Sequence, residues 1–222
     1  MTDALLSVNG ALCTRIRLDV PARGPWVADV DVSDSADLAG AAVVVIGSLR
    51  LTGTVDPDHT GTFQFKTRAR VVGGAGGWSK LITARHFHND AGLKRGHVAQ
   101  ALAAVAGETL VGTTDDRLGV DWVTKSGTAG AALAALYPLW WVDYEGVTHV
   151  ATARDTADLA TAYDLIDFEP RTRIATLALD APEALMIGSV LHDRLEAPAR
   201  VRAFSLEAAS AGMRVRAWTE AA

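Results

Sequence analysis

The residues best suited to chemistry lie close together. His86, Phe87 and His88 are followed by Asp90 and His97, and this is the one place where the chain gathers several of its 6 histidines. On a strand, positions i and i+2 project from the same face, so His86 and His88 would present both imidazoles together. Two imidazoles on one face are part of a zinc site, but a catalytic zinc needs a third protein ligand and an open position. The sequence places no third ligand, and His97 falls early in a helix that begins near Leu93. A small metal-assisted hydrolase using His86 and His88 therefore stands as the alternative to a non-enzymatic reading, and no metal ligands are assigned.

Other chemistries are weaker still. The segment Gly73 to Lys80, GGAGGWSK, is rich in glycine, yet a phosphate-binding loop needs lysine and a hydroxyl directly after its last glycine. Here Trp78 intervenes and Ser79 precedes Lys80, so the run reads as a flexible connector between domains or a loop that packs against a neighbouring subunit. Cys13 is the single cysteine, which excludes an intrachain disulfide, and it has no histidine nearby to activate it. No GxSxG elbow is present. Asp115, Asp116 and the carboxylates from Asp164 to Glu169 read as solvated turn charges. Trp140 and Trp141 are adjacent on a strand and so point to opposite faces, one toward a core and one toward an interface. Trp141 or Trp140 as the contact of a β-barrel binding module is the third reading. No catalytic residue and no cofactor is assigned; Trp78, Phe87, Trp140 and Trp141 are the candidate subunit-interface residues.

The elements that must position these residues follow from composition and pattern. The chain has 222 residues, 49% hydrophobic and 21% charged, with a formal net charge of −5. That is enough apolar material for a sizeable core and argues against disorder. An acidic balance argues against a nucleic-acid coat, which needs a dense basic surface. The most apolar stretch, Gly127 to Val142, is shorter than the roughly 20 residues of a membrane helix and is interrupted by Pro138. No signal-peptide pattern opens the sequence, so the chain is expected to be soluble and intracellular when made.

The first third alternates like strands. Leu5 to Val8 leads through Asn9-Gly10, a strong hairpin signal, into Ala11 to Val20, where Ile16, Leu18 and Val20 share one face and Arg15, Arg17 and Asp19 the other. Trp26 to Val32, Ala42 to Ile46 and Leu49 to Val55 continue the pattern; Asp56-Pro57-Asp58 is expected to turn before Thr62 to Val72. The middle holds a strand at Trp78 to Ala84, a helix to Ala106 stopped by Gly107, a second helix capped by Ser126 or Thr128, and a hairpin from Leu139 to Arg154 turning at Glu145-Gly146. Strands at Thr172 to Leu179 and Ala184 to Val190 and a hairpin from Arg200 to Trp218 close the chain. The fold class expected is α+β and mainly β: tube-like antiparallel β-barrel domains with a small α/β domain inserted. The segments are 1–72, 73–155 and 156–222, the last completing or duplicating the barrel.

The succession of features is itself informative. A β-rich start is followed by Ala84-Arg85-His86-Phe87, the helix of Gly92 to Glu108, the hairpin Leu139-Trp-Trp-Val-Asp-Tyr-Glu-Gly-Val-Thr-His-Val150, and the late pair Val201 to Leu206 and Gly212 to Trp218. This order resembles the baseplate hub and tail-tip proteins of contractile and long flexible phage tails, including those of Mu-like phages. The resemblance implies a non-enzymatic part of a virion tail tip. Such hubs use β-barrels to continue the tail tube and hold the central spike, commonly as homotrimers whose paired barrels imitate a sixfold tube. The partners implied are further copies of the chain and the tube, distal tail and spike proteins, with no sequence-specific nucleic-acid binding. An acidic balance also suits a tube that passes DNA, since an attractive lumen would retard it.

Overall fold

The computed structural model describes residues 6–151, 153–192, 195–210 and 212–222. Leu5, expected to open the first strand, and Thr152, expected in the arm of the aromatic hairpin, lie outside them. Strand makes up 56% of the described residues and helix 12%, which fixes the class as mainly β with a minor α component.

Six strands close on themselves at the start of the chain: β1 (Leu6–Val8), β2 (Ala11–Val20), β3 (Val27–Val32), β4 (Ala41–Ile46), β5 (Leu49–Phe63) and β6 (Lys66–Gly73). Their order around the ring is β1-β4-β5-β6-β3-β2, and β2 pairs back onto β1, every pair antiparallel. The ring closes because alternation puts Ile16, Leu18, Val30, Val44, Leu51 and Val71 inward, each fully buried. Asn9 and Gly10 both take positive φ, 48° and 83°, as the tight turn between β1 and β2 requires. Outside, the same alternation builds a charge ladder. Arg17 faces Asp29, which faces Arg70 across the next pair, and Arg15 faces Asp31, which faces Arg68.

The expected turn at Asp56-Pro57-Asp58 does not reverse the chain. Asp56 stays opposite Arg70 and Gly61 opposite Arg68, so the intervening residues bulge out of one long strand. Asp56 holds this bulge, its carboxylate accepting from the Asp58 amide and contacting His59. The reversal comes later, at Gln64-Phe65, where φ is 47° and 64°.

The middle of the chain packs around its own core. It comprises β7 (Leu81–Ile82), β8 (Arg85–Lys94), α1 (Arg95–Ala106), β9 (Leu110–Val111), β10 (Arg117–Thr124), β11 (Gly127–Thr128), α2 (Ala129–Leu136), β12 (Leu139–Val142) and β13 (Thr148–Ala151). Val98, Ala99, Leu102 and Ala103 of α1 meet Ala129, Leu133 and Leu136 of α2. Gly107, at φ 81°, ends α1, while the Thr128 hydroxyl caps α2 by accepting from the Ala131 amide. Trp78 to Ala84 is not a continuous strand: a 3-10 turn, Gly77–Ser79, buries the Trp78 indole before β7 begins.

The last segment adds β14 (Ala157–Asp158), β15 (Tyr163–Glu169), β16 (Ile174–Leu179), β17 (Ser189–Leu191), β18 (Ala199–Ala209) and β19 (Gly212–Ala221), in the order β14-β17-β18-β19-β16-β15. Pro182 starts a 3-10 turn where a strand from Ala184 was expected, so β17 begins only at Ser189. The carboxylates of Asp164, Asp167 and Glu169 stand on the edge strand β15 rather than in a turn. Charges there discourage unwanted strand pairing. β18 pairs with β2 from Phe204 to Ala209, so this sheet is continuous with the closed ring. One apolar core runs through both, from Ile16 and Leu18 to Leu177, Phe204 and Val215.

Trp26 is fully buried in the core that the ring encloses. A Cβ at Gly53 would come within 2.9 Å of its ring, and one at Gly73 within 2.7 Å. Both glycines are there for close approach. Gly73→Ala should therefore overpack the indole and lower stability by about 1–3 kcal/mol, read as a lower midpoint in chemical denaturation; an unchanged midpoint would show that Trp26 moves freely.

Candidate functional site

Three of the candidate residues, Trp78, Trp140 and Trp141, stand where the middle segment meets the ring, beside Gly73, Pro25 and Val20. The glycine run that marks this junction is not a loose connector. Glu108, buried just after α1, accepts from the Ala75 amide at 3.0 Å and from the Gly77 amide at 2.7 Å. A Cβ at Gly77 would fall on the Ala106 carbonyl, and one at Gly74 within 2.6 Å of the Glu108 carboxylate. The run is glycine because two backbones and a carboxylate share one narrow space. Glu108→Gln leaves one amide oxygen where two carboxylate oxygens accepted, so at least one of these part-buried N–H groups loses its partner. The expected cost is about 1–3 kcal/mol, measurable in urea unfolding.

The second seam is a strand contact. The Gly24 amide donates to the Trp140 carbonyl at 2.9 Å, and the Thr52 amide to the Tyr144 carbonyl at 2.8 Å. The Trp26 indole N–H donates to the Asp143 carbonyl at 2.9 Å. Asp143 organises the turn between β12 and β13: Oδ1 accepts from the Glu145 and Val147 amides, and Oδ2 meets His149 Nε2 at 2.7 Å.

The four aromatics divide: Trp78, Trp140 and Trp141 stand at the seam, and Phe87 on the β8–β10 ribbon. Trp78 and Trp140 are buried, 5.4 Å apart at 57°. The Trp78 N–H donates to Thr148 Oγ1, while the Trp140 N–H is buried without an acceptor among the described residues. Trp141 is half-buried: His149 stacks parallel to its ring with centroids 5.3 Å apart, and the Arg154 guanidinium lies 4.2 Å from the ring centre. Burial lowers the Arg154 pKa to about 10, which leaves it charged at neutral pH. Trp141, Tyr144, Arg154, Met186 and Ile187 line a cavity of about 600 Å³. Phe87 is half-buried beneath the Arg85 guanidinium, 4.7 Å from its ring centre.

His86 and His88 do share a face, because β8 and β10 pair with His88 opposite Asp121. His86 Nε2 and His88 Nδ1 each lie 2.8 Å from the same Asp121 oxygen, and His88 Nε2 reaches Asp90 at 3.1 Å. Among the described residues no three His, Cys, Asp or Glu side chains converge to hold a metal. His97 stands apart on α1, exposed. Partial burial pushes the Cys13 thiol up to about 11, so it is a thiol and not a thiolate at neutral pH.

The Asp121 carboxylate raises the His88 pKa above the ordinary value, and the two imidazoles lower that of Asp121. A raised folded-state value stabilises the fold below the unfolded imidazole pKa, and the contribution is lost as pH rises through the folded one. NMR titration should place the His88 midpoint above about 6.5, and Asp121→Asn should bring it down.

Sequence reading reached Trp141, Phe87 and the two histidines but not Glu108, Asp121, Arg154 or Trp26. Asp121 lies 33 residues from His88 and only strand pairing brings them together. Trp26 was legible as a strand residue, but nothing near it in sequence marks it as the junction.

Comparison of the whole fold adds what the site alone does not. No protein-family model matches the sequence, and no curated protein matches it. Solved structures do. The 43 kDa tail protein of prophage MuSo2 from Shewanella oneidensis matches with a TM-score of 0.68 at 12% identity, over 99% of this chain and 96% of the other. A tail protein from Neisseria meningitidis MC58 matches with a TM-score of 0.67 at 13% identity, over 98% and 95%. This chain has the fold of phage tail proteins. A type VI secretion component of E. coli, described as similar to the T4 tail proteins gp27 and gp5, shares the fold at TM-score 0.65 and 10% identity, over 98% of this chain and 76% of that one. The phage-tail fold thus takes in the ring, the middle segment and the last sheet together.

Proposed function

We propose that the chain is a structural, non-enzymatic component of a phage tail, placed at the tail tip or baseplate hub of the virion and made in the host cytoplasm. Copies form a ring, a homotrimer, that continues the tail tube and anchors the spike. The observation that carries this reading is the match to two tail proteins along nearly the whole chain, with almost nothing left over on either side. The reading divides the chain into a barrel segment at 1–72, an α/β segment at 73–155 and a β-rich segment at 156–222. Two curved β units per chain would give a trimer six, the number needed to meet a sixfold tube.

Phe87 and Trp141 retain exposed surface and are the side chains proposed to meet a neighbouring subunit. Trp78 and Trp140, the other two candidates, are buried in the core of the middle segment and support the seam on which Trp141 is displayed. Tube, distal tail and spike proteins are the proposed further partners. The paired imidazoles of His86 and His88 direct their nitrogens to Asp121, which favours an ion-pairing role over a hydrolytic one.

Sedimentation equilibrium tests the ring. The expected mass is three times the 23.4 kDa of one chain, with ring-shaped particles in negative-stain images. A chain that stays monomeric at high concentration, alone and with tube or spike protein, would overturn the reading.

A further inference from the structure

The tip of the β5–β6 hairpin contradicts ordinary hairpin chemistry. A two-residue turn with both φ positive favours Asn-Gly, since glycine takes that conformation without strain. Here the two residues are Gln64 and Phe65, at φ 47° and 64°. Phe65 is 86% exposed and Phe63, its near neighbour, 76% exposed. Two phenyl rings held in water, one on a strained backbone, serve neither the turn nor the core. Strain and exposed apolar surface in one place are the marks of a contact surface.

A receptor of matching character lies on the same chain. The cavity of about 600 Å³ at the seam offers Trp141, Tyr144, Met186 and Ile187. Met186 is 58% exposed, and a thioether adapts readily to an incoming aromatic ring. The charges agree as well. Lys66 follows Phe65, while the carboxylates of Asp143, Glu145 and Asp155 outnumber the one Arg154 guanidinium in the cavity lining; among the described residues Lys66, Glu145 and Asp155 are in no ion pair.

The hairpin cannot fill its own cavity. Thr52, at the base of β5, is bonded to Tyr144 at the cavity wall, whereas Phe63 and Phe65 are at the opposite end of the same hairpin. From Gly73 to Lys66 along β6 is seven residues, about 23 Å of strand. A paired hairpin does not fold back over that length. Only a second copy can bring the two together. The contact is then heterologous, one surface meeting a different one; such contacts build a ring when the rotation between copies closes and an open filament when it does not.

We infer that the Phe63–Phe65 hairpin tip of one copy docks into the Trp141–Tyr144–Met186 cavity of the next. This rests on the ring proposed above and names the contact that builds it. Three proteins are compared by sedimentation: the unaltered chain, Phe63→Ser with Phe65→Gly, and Met186→Asp. The expected result is a ring for the first and assembly at least about tenfold weaker for each variant. Glycine at position 65 relieves the strained φ, so the double variant should melt no lower than the unaltered chain. A ring that persists in both variants overturns the inference and leaves the ring reading intact. An unaltered chain that stays monomeric at high concentration, alone and with tube or spike protein, overturns both. As a second measurement, with Cys13→Ser throughout, Phe65→Cys on one tagged chain and Met186→Cys on another should be joined by a short bismaleimide. If the two chains co-sediment and no crosslink forms, the hairpin tip docks elsewhere and the inference fails.

Discussion

The placement of one indole governs how the parts of this chain fit together. Trp26 enters the ring where β5 and β6 carry no side chains, at Gly53 and Gly73. Its bulk fills the interior there, and its N–H, which would be costly to bury unpaired, is met by the Asp143 carbonyl of the aromatic hairpin. The same residue therefore seals the ring and fixes the middle segment against it. Asp143 passes the constraint on: its carboxylate shapes the turn and orients His149, on which Trp141 stacks. The Glu108 carboxylate secures the other side of the junction by holding the glycine run in place.

The two β units are joined in a different way. β2 belongs to the closed ring and, further along its length, to the ladder with β18. Neither unit leaves an unpaired edge at this boundary, and their cores merge. On the outer surface the alternation that buries Ile16 and Leu18 displays Arg15 and Arg17, and Arg15 reaches Glu207 of β18 at 2.9 Å. Exposed pairs of this kind add little stability each. Arranged across β18, β2, β3 and β6 they penalise a register slip, because a shift of one residue would turn every charge inward.

The proposed ring would put this joining to use. A ring subunit must present its contact surfaces at fixed angles, and here a shared sheet and a buried indole link the segments. The groups first suspected of chemistry fit that picture. His86 and His88 are ribbon residues turned to Asp121, and Cys13 is a partly buried thiol.

Local pattern was enough for much of the fold. Period-two alternation marked the ring strands and their inward residues, Asn9-Gly10 marked the first turn, and Gly107 and Thr128 marked the helix ends, because each depends on neighbours a few residues away. Local pattern misled where a distant contact decided. Asp56-Pro57 has turn composition, yet β6 keeps pairing beyond it and forces a bulge. Gly73 to Gly77 has linker composition, yet Trp26 and Glu108 take up the space that side chains would fill. The order of features pointed to a phage-tail fold, and the shape of the whole chain bears that out. What the sequence determined was which residues face inward and where the chain prefers to turn. What the tertiary structure decided was which of those faces meet, since Trp26 with Asp143, Glu108 with the glycine run and His88 with Asp121 are all pairs that only folding brings within bonding distance.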